Sequence, residues 1–503
     1  MNQAPAPLPE LRLADLMVAL SLATDLGMGQ PLGWGLRACL LATYFAEVLK
    51  LTQREREDTY YLALLHYIGC TTDAHLFASI FGDDRRVMRH FALTHMGDVQ
   101  HLAAPSPPTI PPDVFRTSSQ ARCEVAVHLA RWCEFSGSIQ GGLWQIFERW
   151  DGGGLPYGLK HDEIMLPVRV VQLAQDAESF FRIGGVVEVR KHLEERAGHG
   201  YDPALCQQFH AHAEALFGRL EVPSLRRAVL SAEPGVPKRT SKRQLERVLE
   251  AMADFVDMAS PHMVGSSRGV AALAERAAQE AGLEEVAVER VRRAGLVRDL
   301  GRVCAPSAVW DKPVPLNDVD WELVRLHPYY TERVLAHCQP LADVAQLASM
   351  HHERLDGSGY FRGAPAVIQP FSARLLAAAD VYHALTRDRA HRRALDVDDV
   401  ARVVRDEVRS GKLDADAAEV VLKVAGHRVR QRNRSYPGGL SPRETEVLQQ
   451  LVKGYTNAEI AQRLGISAKT VGHHVQHIYS KLEVSTRAAA TLFAVQHHLV
   501  YEL

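Results

Sequence analysis

Apolar positions recur three and four residues apart almost from the start of the chain. Ala14, Leu16, Met17, Leu20, Leu22 and Ala23 share that spacing, and Leu36, Leu40, Leu41, Tyr44, Phe45, Val48 and Leu49 repeat it. The period is helical. Similar text covers 119–131, 164–176 (entered through Pro167), 245–256, 270–281, 286–300, 320–335 and 371–385. Runs that alternate with period two are rare, so the pattern predicts an all-α chain. Prolines mark the breaks. Residues 101–112 and 310–318 read as loops, and 221–241, with three prolines and several basic residues, as a linker.

The pattern also repeats at long range. Phe147-Glu148-Arg149-Trp150-Asp151-Gly152-Gly153-Gly154 echoes His352-Glu353-Arg354-Leu355-Asp356-Gly357-Ser358-Gly359. Glu148 and Glu353 are 205 positions apart, as are Asp151 and Asp356, while Asp176 and Asp380 are 204 apart. Self-similarity at this period points to a duplicated domain rather than a solenoid. The pair His351-His352 has no counterpart upstream, where Ile146-Phe147 stand. Adjacent histidines, an acid and a glycine-rich turn are metal-site vocabulary.

Past Leu440 the text changes. Ser441-Pro442-Arg443-Glu444 and Thr456-Asn457-Ala458-Glu459 read as capping boxes, and Ser467 and Ser485 as further N-caps. Gly454 and Gly465 end the first two helices. Four short helices in this region are predicted, with a tight turn, Gly465-Ile466-Ser467, before the third. Val471, Val475, Ile478 and Leu482 give that third helix one buried face. The other face shows Gly472, His473, Gln476 and Ser480, a polar surface suited to a major groove. Lys469 and Thr470 at its N-terminus suit phosphate.

Composition narrows the picture. The 503 residues exceed what one core usually serves. The formal net charge is −2, so DNA affinity must come from a local patch. From Pro437 onward six Lys and Arg face five Asp and Glu, so that patch is small. The alternating Arg428, Arg430, Arg432 and Arg434 form a basic joint just before it. The seven cysteines are odd in number and lack a C-x-x-C, which points to reduced thiols in a cytoplasm. No apolar run is long enough for a membrane span, and the proline-rich residues 1–10 lack the basic start of a signal peptide.

Residues 245–425 resemble the HD-GYP branch of the HD phosphohydrolases, a helical family that cleaves cyclic di-GMP with bound metal ions. The resemblance rests on Val309-Trp310-Asp311-Lys312-Pro313, His327-Pro328, the 351–360 stretch and Ala378-Ala379-Asp380-Val381-Tyr382-His383-Ala384-Leu385. It implies Asp299, His327, His351, His352 and Asp380 as metal ligands. The departures are specific. The family's His-Asp dyad falls on Arg298-Asp299, its following lysine on Arg302, a first-helix histidine on Ser266, and the proline of Gly-Tyr-Pro on Phe361. A guanidinium has no lone pair to offer a metal. Arg298 and Arg302 instead suit a phosphate or carboxylate. One divalent ion (Mn, Fe or Zn) is the most that the remaining donors predict. In the first half Leu64-Leu65-His66-Tyr67-Ile68-Gly69 matches the dyad segment with tyrosine for aspartate, so His66 and Asp176 are expected to hold no metal tightly. His90, His95 and His101 have no family counterpart. Residues 440–503 resemble the LuxR-type helix-turn-helix along their whole length, through Asn457-x-Glu459-Ile460-Ala461, Ser467-x-Lys469-Thr470-Val471-x-x-His474-Val475 and Ile478-Tyr479-x-Lys481-Leu482. That resemblance implies double-stranded DNA as partner, with Lys469, Thr470, Gly472, His473, Gln476 and Lys481 at the interface. It also implies a dimer contact through the helix 487–499.

The expected order is a degenerate HD-like domain over 8–220, a linker over 221–241, an HD-GYP-like domain over 242–427, a basic linker over 428–439 and the DNA-binding domain over 440–503. The expected function is a cytoplasmic, homodimeric transcriptional regulator with no membrane partner. Its HD-type domains would sense a small anionic or nucleotide ligand or serve dimerisation. The alternative is a metal-dependent cyclic dinucleotide phosphodiesterase fused to a DNA-binding domain.

Overall fold

The computed structural model describes residues 11–91, 112–427, 437–496 and 499. Among these the chain forms helices and no strand, only isolated bridges. His95, His101 and the four alternating arginines lie outside the described residues, as does the side chain of His90. The chain divides into two compact units. One is Met1–Ala364 with Ser372–Ala425, the other Gly426–Leu503 with Pro365–Phe371.

The first unit is organised around the helix Leu13–Gly27, in which every residue but Gly27 is buried. A helix apolar on all sides has no solvent face to keep. It packs on Trp34–Val48 and Gln53–Leu65 of the first half, and on the turn Leu300–Cys304 and the helix Asp318–Leu335 of the second. The two halves therefore share one core. Further ties cross the seam: Thr71 Oγ1 donates to the Phe255 carbonyl at 2.8 Å, and Ser307 N to Asp84 Oδ1 at 2.9 Å.

The duplication is visible in the caps. Asp25 accepts the backbone N–H of Gly33 and Gly35 at 2.7 and 2.9 Å, fixing the start of Trp34–Val48. Asp257 accepts the N–H of Ser267 at 2.8 Å at the start of Ser266–Glu280. Gly33 and Gly265 precede these helices with φ of 93° and 76°, where a side chain would be strained.

Residues 221–241, read above as a linker from their prolines, carry a helix, Leu225–Ser231. The Val229 carbonyl accepts from Tyr60 Oη at 3.1 Å, and buried Glu233 accepts from Tyr61 Oη at 2.6 Å and Arg12 Nη2 at 2.7 Å. Two inward-facing residues among the prolines turn this connection into a strap on the first half.

The second unit is a small helical module. Pro442–Val452, Asn457–Leu464, Ala468–Lys481 and Arg487–Gln496 enclose a core of Val447, Leu448, Leu451, Ile460, Val471 and Ile478. Both capping boxes form, Gly465 takes φ 64° to end the second helix, and Ser467 caps the third. At the fourth helix Thr486, not Ser485, accepts the capping N–H, from Ala489 at 3.2 Å.

Candidate functional sites

The second half gathers its chemistry at the end of Glu285–Val297. Arg298 and Asp299 follow that helix, and Gly301 holds them against Asp318–Leu335. A Cβ on Gly301 would lie 2.1 Å from the His327 carbonyl, so no larger residue fits. Gly301 N donates to Thr331 Oγ1 at 2.8 Å. His327 and His351 each turn Nδ1 to a carbonyl three residues back, Val324 and Ala348, both at 2.7 Å. Those bonds place the proton on Nδ1 and leave Nε2 as a lone pair. The two Nε2 atoms face each other at 3.2 Å, with Asp299 Oδ1 3.4 Å from one and 3.6 Å from the other. Two lone pairs and a carboxylate oxygen converging in a buried space call for a cation. Asp299, His327, His351 and His352 bring donor atoms within 4.8 Å of one another and could hold a metal ion.

Asp380 is drawn elsewhere. Arg298, 1% exposed, donates from Nε to Asp380 Oδ1 at 2.7 Å and from Nη1 to the Gly295 carbonyl at 2.9 Å, and its Nη2 lies 3.0 Å from Asp299 Oδ2. One guanidinium thus bridges both aspartates. Burial alone would raise the two carboxyls. The adjacent Arg298 charge holds Asp380 below the usual carboxylate range and Asp299 well below it. Burial lowers His327 to about 4, against the pull of Asp299, so its ring is neutral as a ligand must be. Ser266, on the family's histidine position, is fully buried with its hydroxyl unpartnered.

Two more arginines lie near. Arg302 stacks on Trp310, 3.8 Å from guanidinium carbon to ring centroid. Arg389 touches the Met263 sulfur, and burial together with the Arg302 charge lowers it to about 10. Among the described residues neither has a carboxylate in ion-pair reach. Sequence reasoning named Arg302 but not Arg389. Its signal was the basic run Arg387-Asp388-Arg389-Ala390-His391-Arg392-Arg393 directly after the Asp380 helix.

In the small module Lys469, Thr470, His473 and Gln476 lie exposed along Ala468–Lys481, with Gly472 half-buried among them. Lys481 differs from the rest of the expected interface. Its ammonium pairs with buried Glu444 at 2.6 Å. Burial would raise Glu444, but Lys481 and Ser441 hold it at about 2. The Lys481 charge is therefore committed to the module's own fold.

Residues 439–494 match the family described as bacterial regulatory proteins, luxR family, and residues 250–417 match the HD domain family. This chain is an HD domain fused to a C-terminal LuxR-type DNA-binding domain. It is 26% identical over 422 residues to 3'3'-cGAMP-specific phosphodiesterase 3 of Vibrio cholerae, an alignment covering 79% of this chain and 91% of that protein. It is 46% identical over 83 residues to the response regulator protein VraR of Staphylococcus saprophyticus, 16% of this chain and 39% of that one. A crystal structure of a cyclic GMP-AMP specific phosphodiesterase from V. cholerae superposes with TM-score 0.60 at 23% identity, covering 84% of this chain and 99% of that one. That likeness extends the HD-type fold across both halves.

Beside the HD domain, the first half keeps the scaffold and fills the site. Glu148 accepts the N–H of Tyr157 and Leu159 at 2.8 and 2.9 Å, as Glu353 accepts those of Arg362 and Ala364 at 2.8 and 2.7 Å. The repeated Glu-Arg-x-Asp-Gly-x-Gly text is therefore a loop-folding device. Phe147, like Tyr67, Phe81 and Phe115, packs against a buried cluster of Met28, Cys70, Phe77, Val87 and Met88 where the other half has imidazoles. Arg122 stands 205 positions before His327. The equivalence is geometric: a Cβ on Gly69 would lie 2.0 Å from the Arg122 carbonyl, mirroring Gly301 and His327. Arg122 is buried and grips Asp73, Nε to both oxygens at 3.0 Å. The same 205-residue offset could have found it in the sequence. His66 is buried with Nδ1 unpartnered, and burial lowers it to about 3. Asp176 accepts from Tyr201 Oη and is pushed by burial to about 6. The structure brings His66 and Asp176 into no metal-type cluster among the described residues.

Proposed function

We propose that this chain is a cytoplasmic, homodimeric DNA-binding transcriptional regulator whose HD region binds a phosphate-bearing small ligand without hydrolysing it. The observation that carries this reading is the Arg298 bridge to Asp299 and Asp380. Two-metal phosphodiester hydrolysis needs one ion to generate the nucleophile and another to clamp the phosphate. Here a fixed guanidinium satisfies the two carboxylates that would serve a second ion. Asp299, His327, His351 and His352 remain as donors for one divalent ion, Mn, Fe or Zn, which would supply a positive centre for a phosphate oxygen. Arg298 is taken up by Asp299 and Asp380, whereas Arg302 and Arg389 have no carboxylate in ion-pair reach among the described residues and are the side chains available to an anion. The named relatives make a cyclic dinucleotide the first ligand to try.

No described helix is long and apolar enough to cross a membrane. In the LuxR-type module Lys469 and Thr470 would meet phosphate, Gly472, His473 and Gln476 would face the bases, and Lys481 would support the module through Glu444. A ligand that changes how two copies associate would change half-site spacing, hence DNA affinity.

The alternative is a phosphodiesterase that carries a DNA module, favoured by the intact Asp299–His cluster. Incubation of the full chain with 3'3'-cGAMP or cyclic di-GMP and Mn2+ or Fe2+ separates the two. Ligand-dependent thermal stabilisation with no linear product is expected. Turnover that His351→Ala abolishes would establish the hydrolase instead.

A further inference from the structure

His473 and His477 stand one turn apart on the reading helix Ala468–Lys481. Residues four apart on a helix share a face, with Cβ atoms about 5–6 Å apart. Both are exposed, the His477 side chain to 68%, and neither imidazole has a hydrogen-bond partner among the described residues. The exposed face of this helix has no packing role, since the module's core is served by Val471 and Ile478.

The ring of His477 has support behind it. Its Nδ1 lies 3.9 Å from Oε1 of Glu444, a residue only 4% exposed. The other carboxylate oxygen, Oε2, accepts from Ser441 N at 2.7 Å and from Lys481 Nζ at 2.6 Å. Glu444 is thus anchored through one oxygen and offers the second to His477. A carboxylate beside one ring nitrogen is how proteins orient a metal-binding histidine.

We propose that His473 and His477 form a two-imidazole site for a divalent transition-metal ion on the groove-facing side of the reading helix, and that loading it opposes DNA docking. Imidazole pairs suit zinc, nickel and copper(II) rather than magnesium or calcium. Once one ring has bound, the second binds within the same turn, so the pair holds an ion far more tightly than either ring alone. Water fills the remaining coordination positions. That hydrated ion stands between His473 and the base edges. The antagonism rests on the DNA-docking reading above, whereas the metal site does not.

Zinc titration of the untagged full chain against a chromogenic chelator tests the site. The Asp299 cluster is common to parent and variants and cancels in the difference. The parent is expected to bind one zinc per chain that weakens about a hundredfold in His473→Gln and in His477→Gln. Both positions are exposed, and circular dichroism confirms that the variants fold. Equal zinc binding by parent and variants overturns the site. A second arm follows the anisotropy of a labelled mixed-sequence duplex at low salt, first in EDTA and then with zinc. Zinc is expected to release the duplex from the parent and not from His477→Gln. Zinc bound with DNA affinity unchanged overturns the antagonism. If the chain fails to bind the duplex even in EDTA, the DNA-docking reading falls and the antagonism with it, while the zinc stoichiometry still decides the site.

Discussion

The two halves of the first unit began from the same loop and lost different things. The second half kept Asp299, His327, His351, His352 and Asp380 but carries Arg298 among them. The first half kept His66 and Asp176 but holds Tyr67, Arg122 and Phe147 where the other has Asp299, His327 and His352. Each half then had to settle the carboxylates left behind in a buried space. In the second, a guanidinium neutralises two of them. In the first, apolar rings close the space, Arg122 pairs with a carboxylate outside it, Asp73, and Asp176 is held by a tyrosine hydroxyl. On the reading proposed above, the second half, with Arg298 in a second ion's place, keeps donors for one ion and side chains for an anion, while the first half serves as scaffold.

The largest effect should come from breaking the charge balance. Arg298→Met leaves Asp299 and Asp380 buried without a cation, and removing one partner of a buried ion pair costs about 3–5 kcal/mol. Chemical denaturation should show that loss, and added Mn2+ or Zn2+ should recover much of it by taking the vacated role. A variant as stable as the parent without metal would mean that Arg298 is not what balances these acids.

A smaller effect should separate the halves by sign. Asp176 and Asp380 occupy equivalent places, but Asp176 is pushed up to about 6 by burial and Asp380 is pulled down by Arg298. A carboxyl raised in the folded state stabilises at low pH, below the unfolded value near 4, and that contribution is lost as pH rises through 6. A carboxyl lowered in the folded state stabilises above that unfolded value and loses its contribution as pH falls through its folded one. Asp176→Asn should therefore stabilise the chain above pH 6, by about 1 kcal/mol once its partial exposure is allowed for. Asp380→Asn should destabilise it at the same pH. Equal shifts from both variants in urea melts at pH 5 and pH 8 would remove the distinction.

What the sequence shows depends on how local the cause is. The small module was readable almost completely, because caps and a 3.6-residue period act within one helix. The single slip there, Ser485 for Thr486, is one residue along a run of two equally good caps. The repeated Glu-Arg-x-Asp-Gly-x-Gly was readable as a repeat, but its purpose was not. Glu148 and Glu353 pin backbone N–H groups nine to eleven residues on, so their likeness records folding and the neighbouring differences record chemistry. Arg298 stood out in the dyad as a fixed charge able to neutralise Asp299 and Asp380, and the coordinates add the bond itself, from Nε to Asp380 Oδ1, 82 residues away. Arg122 lay within reach of the 205-residue offset but shares no residue type with His327, and the Gly69 contact is what fixes the equivalence. The segment 221–241 looked like a linker because prolines outweigh two inward-facing residues in any local count.

The finest comparison sets the eroded HD region against the module, whose third helix keeps Lys469, Thr470, His473 and Gln476 exposed. Lys469 and Thr470 sit in the first turn of the reading helix, where free amides and the dipole already favour phosphate. Lys469→Ala should weaken binding to every duplex alike and reduce the salt dependence of log K by about one unit. His473→Ala should leave the salt slope unchanged and alter preference among sequences, because a base contact carries discrimination and no released counterion. Anisotropy titrations of both variants over a salt series, against mixed and selected duplexes, separate the two behaviours. If both variants lose the same salt slope and neither changes preference, the helix only touches phosphate, and sequence reading must lie elsewhere in the module.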